Sequence, residues 1–258
     1  MSDWRLILDG ENPAPYNMAA DAFLFALAEQ GQSSPVVRLY GWDRPSITIG
    51  YHQRLERAVA VGRLDGTPVV RRITGGRALL HDNGELTYAV AGNFSDYPVL
   101  GDSLGDSYLR IAEAIVAFYR QLGWPAEIAH RDAPVSLASS RALQKGCFAA
   151  VSRYEVLVFG QKAAAGSQRR GRQGLLQHGA VRLSPQRPHP AIDNAFNASD
   201  LPATPKMFLQ RRELKWRLAE SLAAAYGVSL VSGSFSVGER DTLLKRLVDF
   251  ENLAPADF

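Results

Sequence analysis

Apolar and polar residues alternate in many short runs over residues 4–183, a pattern typical of β-strands that bury one face. Glycine, proline and asparagine separate these runs, and Asn83-Gly84 in particular predicts a tight turn. A hairpin around Gly160 is expected to lead into Lys162. The runs predict strands over residues 4–8, 36–40, 46–51, 69–72, 86–91, 126–130, 154–159 and 174–183.

Helical periodicity is clearest in the middle of the chain. Ser103 and Asp106 form an S-x-x-D signature of a helix start, apolar residues then recur at three- and four-residue steps, and Gly123 ends the segment. An earlier helix is expected to have Asn17 as its N-terminal cap and to stop at Gly31. The sequence therefore predicts amphipathic helices between the strands.

The C-terminal part of the chain changes from strand-like to helical spacing. Its helical pattern stops at Gly227, and a second capping box at Ser236 and Glu239 starts another helix. Many strands with few helices, followed by a helical tail, predict an α+β fold with a mixed, largely antiparallel sheet flanked by helices. We expect a catalytic domain over residues 1–204 and a C-terminal helical segment over residues 205–258 that packs on the same domain.

The composition fits one large globular unit. The 258 residues are 46% hydrophobic and 21% charged, and no run of about 18 apolar residues predicts a membrane span. The N-terminal residues lack the pattern of a secretory signal, and the single cysteine fits a reducing compartment, so we expect a cytoplasmic protein. The net charge of +3 is compatible with a basic face that docks an acidic partner. The chain has no dense Lys/Arg run of the kind that would indicate nucleic-acid binding.

Residues 146–183 contain the most reactive side chains, a thiol and a nearby amine. Cys147 lies after Lys145-Gly146 at a loop-to-strand transition, and a lone cysteine is either a small buried apolar residue or a nucleophile. A nearby cation would favour its thiolate, and Lys162 follows 15 residues later. Lys162 is either an ordinary surface residue or a catalytic cation, and the alanines after it would let a ligand approach closely.

A glycine loop between two predicted strands, which is expected to carry Arg77 and His81, is the second candidate site. Gly75-Gly76 can take backbone angles that are closed to other residues, or it can be a simple bend. The loop is neither a P-loop nor a dinucleotide fingerprint, because neither G-K-[ST] nor G-x-G-x-x-G occurs there. His81 and His178 lack companions at zinc-like spacing, so we expect them to form hydrogen bonds within loops rather than a metal site.

Taken together, these segments resemble one superfamily. Residues 71–82, R-R-I-T-G-G-R-A-L-L-H-D, look like the glycine loop of the lipoate–protein ligase, octanoyltransferase and biotin ligase superfamily, and residues 45–53 resemble its upstream strand. The single-cysteine octanoyl-[acyl-carrier-protein]:protein N-octanoyltransferases are the most similar branch. Their pattern has glycine where this chain has Ala165. Their motif is matched here by Cys147, Phe148, Ser152, Tyr154, Glu155, Gly160, Lys162, Gln168, Arg170, Leu176, Gln177, His178 and Gly179.

The resemblance implies a class II synthetase or biotin-protein-ligase-like fold and a set of site residues. Cys147 would be the nucleophile and Lys162 its catalytic partner. The implied substrate-binding residues are Arg72, Thr74, Gly75, Gly76, Arg77, His81, Ala165, Gly166, Gln168 and His178. The basic residues implied to dock an acidic carrier protein are Arg169, Arg170 and Arg172.

The implied reaction is octanoyl transfer from acyl carrier protein to a lysine of a lipoyl domain or of the glycine-cleavage H protein, a step of lipoate biosynthesis and protein lipoylation. Cys147 would first take the acyl group as a thioester, and the acceptor lysine would then attack it. The resemblance implies no metal and no nucleotide cofactor. From the composition we expect no nucleic-acid or membrane partner.

Two alternatives remain open at the level of the sequence. An ATP-dependent lipoate–protein ligase would form a lipoyl-adenylate with ATP and Mg²⁺, would place Lys162 at the carboxyl–phosphate junction and would not need Cys147. A non-catalytic relative would bind acyl groups or carrier proteins only. The presence of both Cys147 and Lys162 argues against that second alternative.

Overall fold

The structure, a computed structural model, describes residues 2–129, 154–186, 188–192 and 210–251. Cys147 and the loop predicted before it lie outside these ranges. In chain order the helices of these ranges are α1 (Ala14–Glu29), α2 (Leu55–Ala58), α3 (Leu104–Gln121), α4 (Arg211–Tyr226) and α5 (Val237–Glu251). The strands are β1 (Asp3–Asn12), β2 (Val36–Trp42), β3 (Ser46–Ile49), β4 (Val69–Arg71), β5 (Leu79–His81), β6 (Glu85–Asn93), β7 (Ala126–Ile128), β8 (Val156–Val158), β9 (Gln161–Lys162), β10 (Ala164–Arg170), β11 (Gly174–Arg182) and β12 (Ser229–Gly233).

Within the described ranges, six strands form the main sheet, in the order β10-β11-β6-β2-β1-β12. The neighbouring pairs from β10 to β2 are antiparallel, whereas β1 is parallel to both β2 and β12. This mixed, largely antiparallel sheet with helices on both faces confirms the predicted α+β fold. The C-terminal segment is not only helical as predicted, because β12 extends the main sheet at its β1 edge.

Alternate residues of the central strands face two different helical layers. Val37 and Leu39 of β2 pack in a core with α3 and α4, whereas Val36 and Tyr40 pack in a core with α1 and α5. Both faces of the sheet are thus buried, and the C-terminal helices belong to these cores. The predicted boundary near residue 204 lies outside the described ranges and stays a prediction. No helix of the described ranges combines the length and the apolar character that a bilayer span needs.

Helix α1 starts earlier than its sequence pattern predicted. Pro13 occupies the N-cap position and another proline lies in the first turn, where a missing N–H costs no hydrogen bond. The prediction that Asn17 caps this helix is therefore wrong. Asn17 is fully buried within the helix, and its side-chain Nδ2 donates instead to the carbonyl oxygen of Gly41, 2.8 Å away.

Helix α3 starts as predicted. The Ser103 hydroxyl accepts a hydrogen bond from Asp106 N, and the Asp106 carboxylate accepts one from Ser103 N, both at 3.1 Å. The same reciprocal bonds join Ser236 and Glu239 before α5, at 2.8 and 3.2 Å. These capping boxes are confirmed because each depends only on residues three positions apart.

In the described ranges, two small sheets, β4-β3-β5 and β7-β8-β9, carry the glycine loop, His81 and Lys162. The candidate residues Ala165, Gly166, Gln168 and His178 lie on β10 and β11 of the main sheet. Strand β3 lies between β4, which is parallel to it, and β5, which is antiparallel, so the glycine loop connects the two outer strands. His81 ends β5 and therefore lies on a strand that the sequence pattern had not shown, rather than in the loop. In the third sheet Phe159 and Gly160 have positive φ values of 50° and 73° and make the predicted hairpin turn that returns the chain to Lys162.

Candidate active site

A cavity with an empty volume of about 380 Å³ lies between α1, the main sheet and the glycine loop. Its inner wall is buried, whereas Gly76 and Arg77 are exposed at its mouth. Of the residues predicted to bind substrate, most but not all line it. The lining residues are Met18, Tyr40, Trp42, Arg72, Gly76, Arg77, Leu79, His81, Thr87, Ala165, Gly166, Ser167, His178 and Gly179.

The buried guanidinium of Arg72 holds the glycine loop in shape. Its Nη1 donates to the backbone and side-chain oxygens of Thr48, at 3.0 and 2.7 Å. Its Nη2 donates to the carbonyl oxygens of Gly75 and Arg77, at 2.8 and 3.0 Å. Arg72 thus lies in the predicted site, where these bonds give it a structural task beside the predicted substrate contact.

The loop passes so close to β3 that two positions require glycine. Gly76 has a φ of +89°, a backbone conformation that other residues adopt at a cost. Gly50 directly follows β3, and a Cβ there would overlap the Gly76 carbonyl oxygen. No local sequence pattern marks Gly50, because the clash comes from a chain segment 26 residues away.

His178 is the centre of a buried hydrogen-bonded chain. Its Nδ1 lies 2.7 Å from Asp21 Oδ2, and its Nε2 lies 2.7 Å from Thr74 Oγ1. The Thr74 hydroxyl also lies 2.7 Å from Ser167 Oγ. This chain ties the glycine loop to β10 and β11 across the cavity, so it connects α1, the loop and the main sheet.

The charge state at the inner end of this chain follows from its surroundings. Asp21 also accepts hydrogen bonds from Arg38 Nη1 at 2.8 Å and from the Tyr40 hydroxyl at 2.7 Å. Burial acts to raise the pKa of Asp21, but its donors outweigh burial and the pKa lies below its usual value of 3.8. Burial lowers the pKa of His178 below 6.5 in spite of the attraction of Asp21. Near neutral pH Asp21 is therefore ionised and His178 is neutral.

His81 is held by a similar chain on the other side of the cavity. Its Nδ1 lies 2.6 Å from Glu85 Oε1, and its Nε2 lies 2.9 Å from Thr48 Oγ1. Its ring stacks on Trp42 with the ring centroids 4.0 Å apart. Since both ring nitrogens have protein partners, His81 offers the face of its ring, rather than a free nitrogen, to a bound group.

Lys162 lies at the end of β9, beside β10. It is 6% exposed, and its Nζ lies 2.8 Å from Glu155 Oε1. Glu155 lines a second cavity, with an empty volume of about 280 Å³, that shares Ala165 and Gly166 with the first. These two small residues therefore line both cavities, and Lys162 is joined to the second cavity through Glu155. Cys147 is outside the described residues, so its approach to Lys162 stays a prediction.

Gln168 does not line the first cavity. Its Nε2 donates to Gln177 Oε1 at 2.8 Å across the β10–β11 pair. Sequence reasoning in turn missed Asp21, Ser167 and Trp42. An acidic residue on the apolar face of α1 was a signal that could have identified Asp21.

The three arginines predicted to dock a carrier protein differ in their environment. Arg169 donates to the Ile73 carbonyl oxygen at 3.1 Å, next to the glycine loop. Arg170 donates to Ser107 Oγ at 3.0 Å and holds the start of α3. Arg172 is exposed, so among the three its side chain is the most available to a partner.

No group of three or more His, Cys, Asp or Glu side chains in the described ranges is arranged to hold a metal ion. The expectation that the reaction needs neither a metal nor a nucleotide stays a prediction.

Comparison with known proteins places the chain in a family. The model of the lipoyl protein ligase A/B catalytic domain matches residues 13–198. The octanoyltransferase LipM of Kyrpidia tusciae is 34% identical over 262 residues, which cover 94% of this chain and 94% of the relative. The octanoyltransferase LipM of Geobacillus kaustophilus is 39% identical over 184 residues, which cover 70% of this chain and 65% of the relative.

A solved structure supports the fold independently. The bipartite lipoate protein ligase of Thermoplasma acidophilum superposes with a TM-score of 0.72 over 96% of this chain and 93% of that chain, at 18% identity. At this identity the likeness concerns the fold, whereas the family model covers most of the chain, including both small sheets and the glycine loop. The chain therefore belongs to the lipoyl protein ligase A/B catalytic-domain family.

Proposed function

We propose that this protein is an octanoyltransferase that moves an octanoyl group from acyl carrier protein, through a thioester on Cys147, to a lysine of a lipoyl domain or of the glycine-cleavage H protein. The observation that carries the proposal is the apolar cavity beneath the glycine loop. The similarity to octanoyltransferases over 94% of the chain supports it.

The cavity suits an uncharged acyl chain. Met18, Trp42 and Leu79 provide apolar surface, and its buried polar side chains are already hydrogen-bonded within the protein. Burial of about seven aliphatic carbons at about 0.8 kcal/mol each contributes about 5 kcal/mol to binding. The acyl chain itself therefore supplies most of the selectivity for this class of substrate.

The chemistry divides into two steps. A thiolate at Cys147 would attack the carrier thioester, and this thiol exchange is nearly isoenergetic. The amine of the acceptor lysine would then attack the acyl-cysteine, and formation of the amide makes this step favourable. Lys162, held by Glu155, supplies a positive charge to the oxyanion that develops in both steps.

Mass spectrometry of the intact protein tests the proposal. After incubation with octanoyl acyl carrier protein and no ATP, we expect one added octanoyl group that hydroxylamine removes. The Cys147→Ala variant should remain unmodified and should transfer nothing to a lipoyl domain. Unmodified wild-type protein, or lipoylation that requires free lipoate and ATP and survives Cys147→Ala, would establish the ligase alternative instead.

A further inference from the structure

The direction of every hydrogen bond in the chain Asp21–His178–Thr74–Ser167 is fixed by its inner end. Ionised Asp21 can only accept, so His178 Nδ1 carries the ring proton. Because the ring is neutral, Nε2 accepts and receives the proton of the Thr74 hydroxyl. The Thr74 oxygen then offers only lone pairs, so the Ser167 hydroxyl donates to it.

Ser167 is the point at which this chain reaches the cavity. Asp21, His178 and Thr74 are at most 4% exposed, whereas Ser167 is half-buried and lines the mouth beside Gly76. With its proton directed at Thr74, the Ser167 oxygen presents lone pairs to an incoming group. It therefore suits an N–H donor, such as an amine, and does not suit the carbonyl oxygen of a thioester.

The second hydrogen-bonded chain, Glu85–His81–Thr48, has a different outer end. Its threonine, Thr48, receives a hydrogen bond from Arg72 Nη1 at 2.7 Å. An arginine has no acceptor and does not lose its proton in proteins, so this chain cannot take up a proton from outside. Of the two chains, only the one through His178 ends on a hydroxyl at the cavity mouth.

We propose that Ser167 accepts a proton from the attacking lysine amine of the acceptor protein and relays it through Thr74 to His178. This inference rests on the proposed octanoyl transfer and adds the proton acceptor for its second step. Ser167 would touch the reacting amine and is the catalytic residue of the relay, whereas Asp21 acts through His178 as a positioning residue.

The proton and electron changes of the step balance. The amine nitrogen bonds to the acyl carbon while the carbon–sulfur bond breaks, and its electron pair leaves on the Cys147 sulfur. One N–H proton moves to Ser167 as the Ser167 proton moves to Thr74 and the Thr74 proton moves to His178 Nε2. The products are the amide, a thiolate and an imidazolium paired with Asp21. The imidazolium proton returns outward to the carrier thiolate that the next thioester exchange releases.

Only the second half of the reaction needs this relay. In thioester exchange the nucleophile is already a thiolate and the leaving group departs as a thiolate, so no proton has to be removed for the bond to form. An amine nucleophile must lose a proton as the amide forms. Loss of the relay should therefore slow aminolysis of the acyl-enzyme and leave acyl-enzyme formation unchanged.

Rapid-mixing experiments on Ser167→Ala can separate the two half-reactions. The full-length variant is first loaded with octanoyl acyl carrier protein, and formation of the acyl-enzyme is followed by mass spectrometry. The isolated acyl-enzyme is then mixed with a lipoyl domain. We expect wild-type rates of loading and a loss of transfer rate on the order of 100-fold, the low end of what general acid–base catalysis contributes. Thr74→Val, which preserves the shape of the side chain and removes its hydroxyl, should likewise slow the transfer step and leave the loading step unchanged.

Ser221→Ala is the matched control, because Ser221 is a buried serine on α4 whose hydroxyl donates to Arg217 O, remote from the cavity. It should leave both half-reactions unchanged. Transfer at the wild-type rate in Ser167→Ala would overturn the relay, and so would an equal slowing of both steps, which would indicate that Ser167 only shapes the cavity. If the wild-type protein forms no acyl-enzyme, the proposed function fails first, and the relay fails with it.

Discussion

Replacement of Gly50 by alanine tests whether the glycine loop depends on its close approach to β3. A Cβ at this position would overlap the Gly76 carbonyl oxygen and would lie 3.0 Å from Gly76 C and 3.1 Å from Gly75 C. All three are backbone atoms, so no side-chain rotation can relieve the contact. The loop must therefore move away from β3 to accommodate the added methyl group.

The size of the effect follows from what the loop holds in place. Movement of the loop would lengthen the hydrogen bonds from Arg72 Nη2 to Gly75 O and Arg77 O, now 2.8 and 3.0 Å. Overpacking of this kind costs about 1–3 kcal/mol of unfolding free energy. A misplacement of about 1 Å at a site of reaction can reduce the rate by about 100-fold. We therefore expect Gly50→Ala to be less stable and to form the acyl-enzyme about 100-fold more slowly.

Two measurements on the same protein check this prediction. Urea denaturation gives the free energy of unfolding, and mass spectrometry gives the rate of acyl-enzyme formation from octanoyl acyl carrier protein. Gly62→Ala is the control, because a Cβ there meets no atom within 4 Å and its φ is not positive. That variant should keep both the stability and the rate of the wild type.

A Gly50→Ala variant that unfolds at the wild-type urea concentration and acylates at the wild-type rate would contradict this prediction. That result would mean that the loop can shift away from β3 without disturbing the site. Equal losses in Gly50→Ala and Gly62→Ala would also contradict it, since they would reflect the loss of glycine flexibility rather than the contact with Gly76.

Three further predictions concern other parts of the chain. Burial lowers the pKa of Lys215 from 10.5 to about 8. Between about pH 8 and pH 10.5 the unfolded chain therefore binds more protons than the folded protein, so the unfolding free energy should rise with pH in this range. Lys215→Met should flatten this rise in urea melts at pH 7–11. Arg172→Ala should raise the KM for acyl carrier protein at unchanged stability, and an unchanged KM would exclude Arg172 from docking. Arg170→Ala, in contrast, should lower the unfolding free energy by about 1–3 kcal/mol because its internal hydrogen bonds are lost. Ser103→Ala should destabilise the protein by about 1 kcal/mol through loss of the α3 cap, which calorimetry can detect, and an unchanged melting temperature would contradict this.

The Asp21–His178–Thr74–Ser167 chain shows what could not be predicted. Asp21 and His178 are 157 residues apart, and Thr74 and Ser167 are 93 residues apart. No local spacing encodes contacts at such separations, since they arise only when α1, the glycine loop and β10 pack together. The same holds for Gly50, whose clash comes from the loop.

Elements and motifs that depend on near neighbours can be predicted from the amino-acid sequence alone. Both capping boxes, the Phe159-Gly160 hairpin and most strands are confirmed, because a hydrogen bond or a pattern within a few residues defines each of them. The matched motifs also identified the family. Tertiary packing, in contrast, makes Asn17 a buried hydrogen-bond partner of Gly41 rather than a cap, and it adds β12 of the C-terminal tail to the main sheet. Burial and sheet pairing join distant segments, and their free energies outweigh the local preferences that a sequence pattern displays.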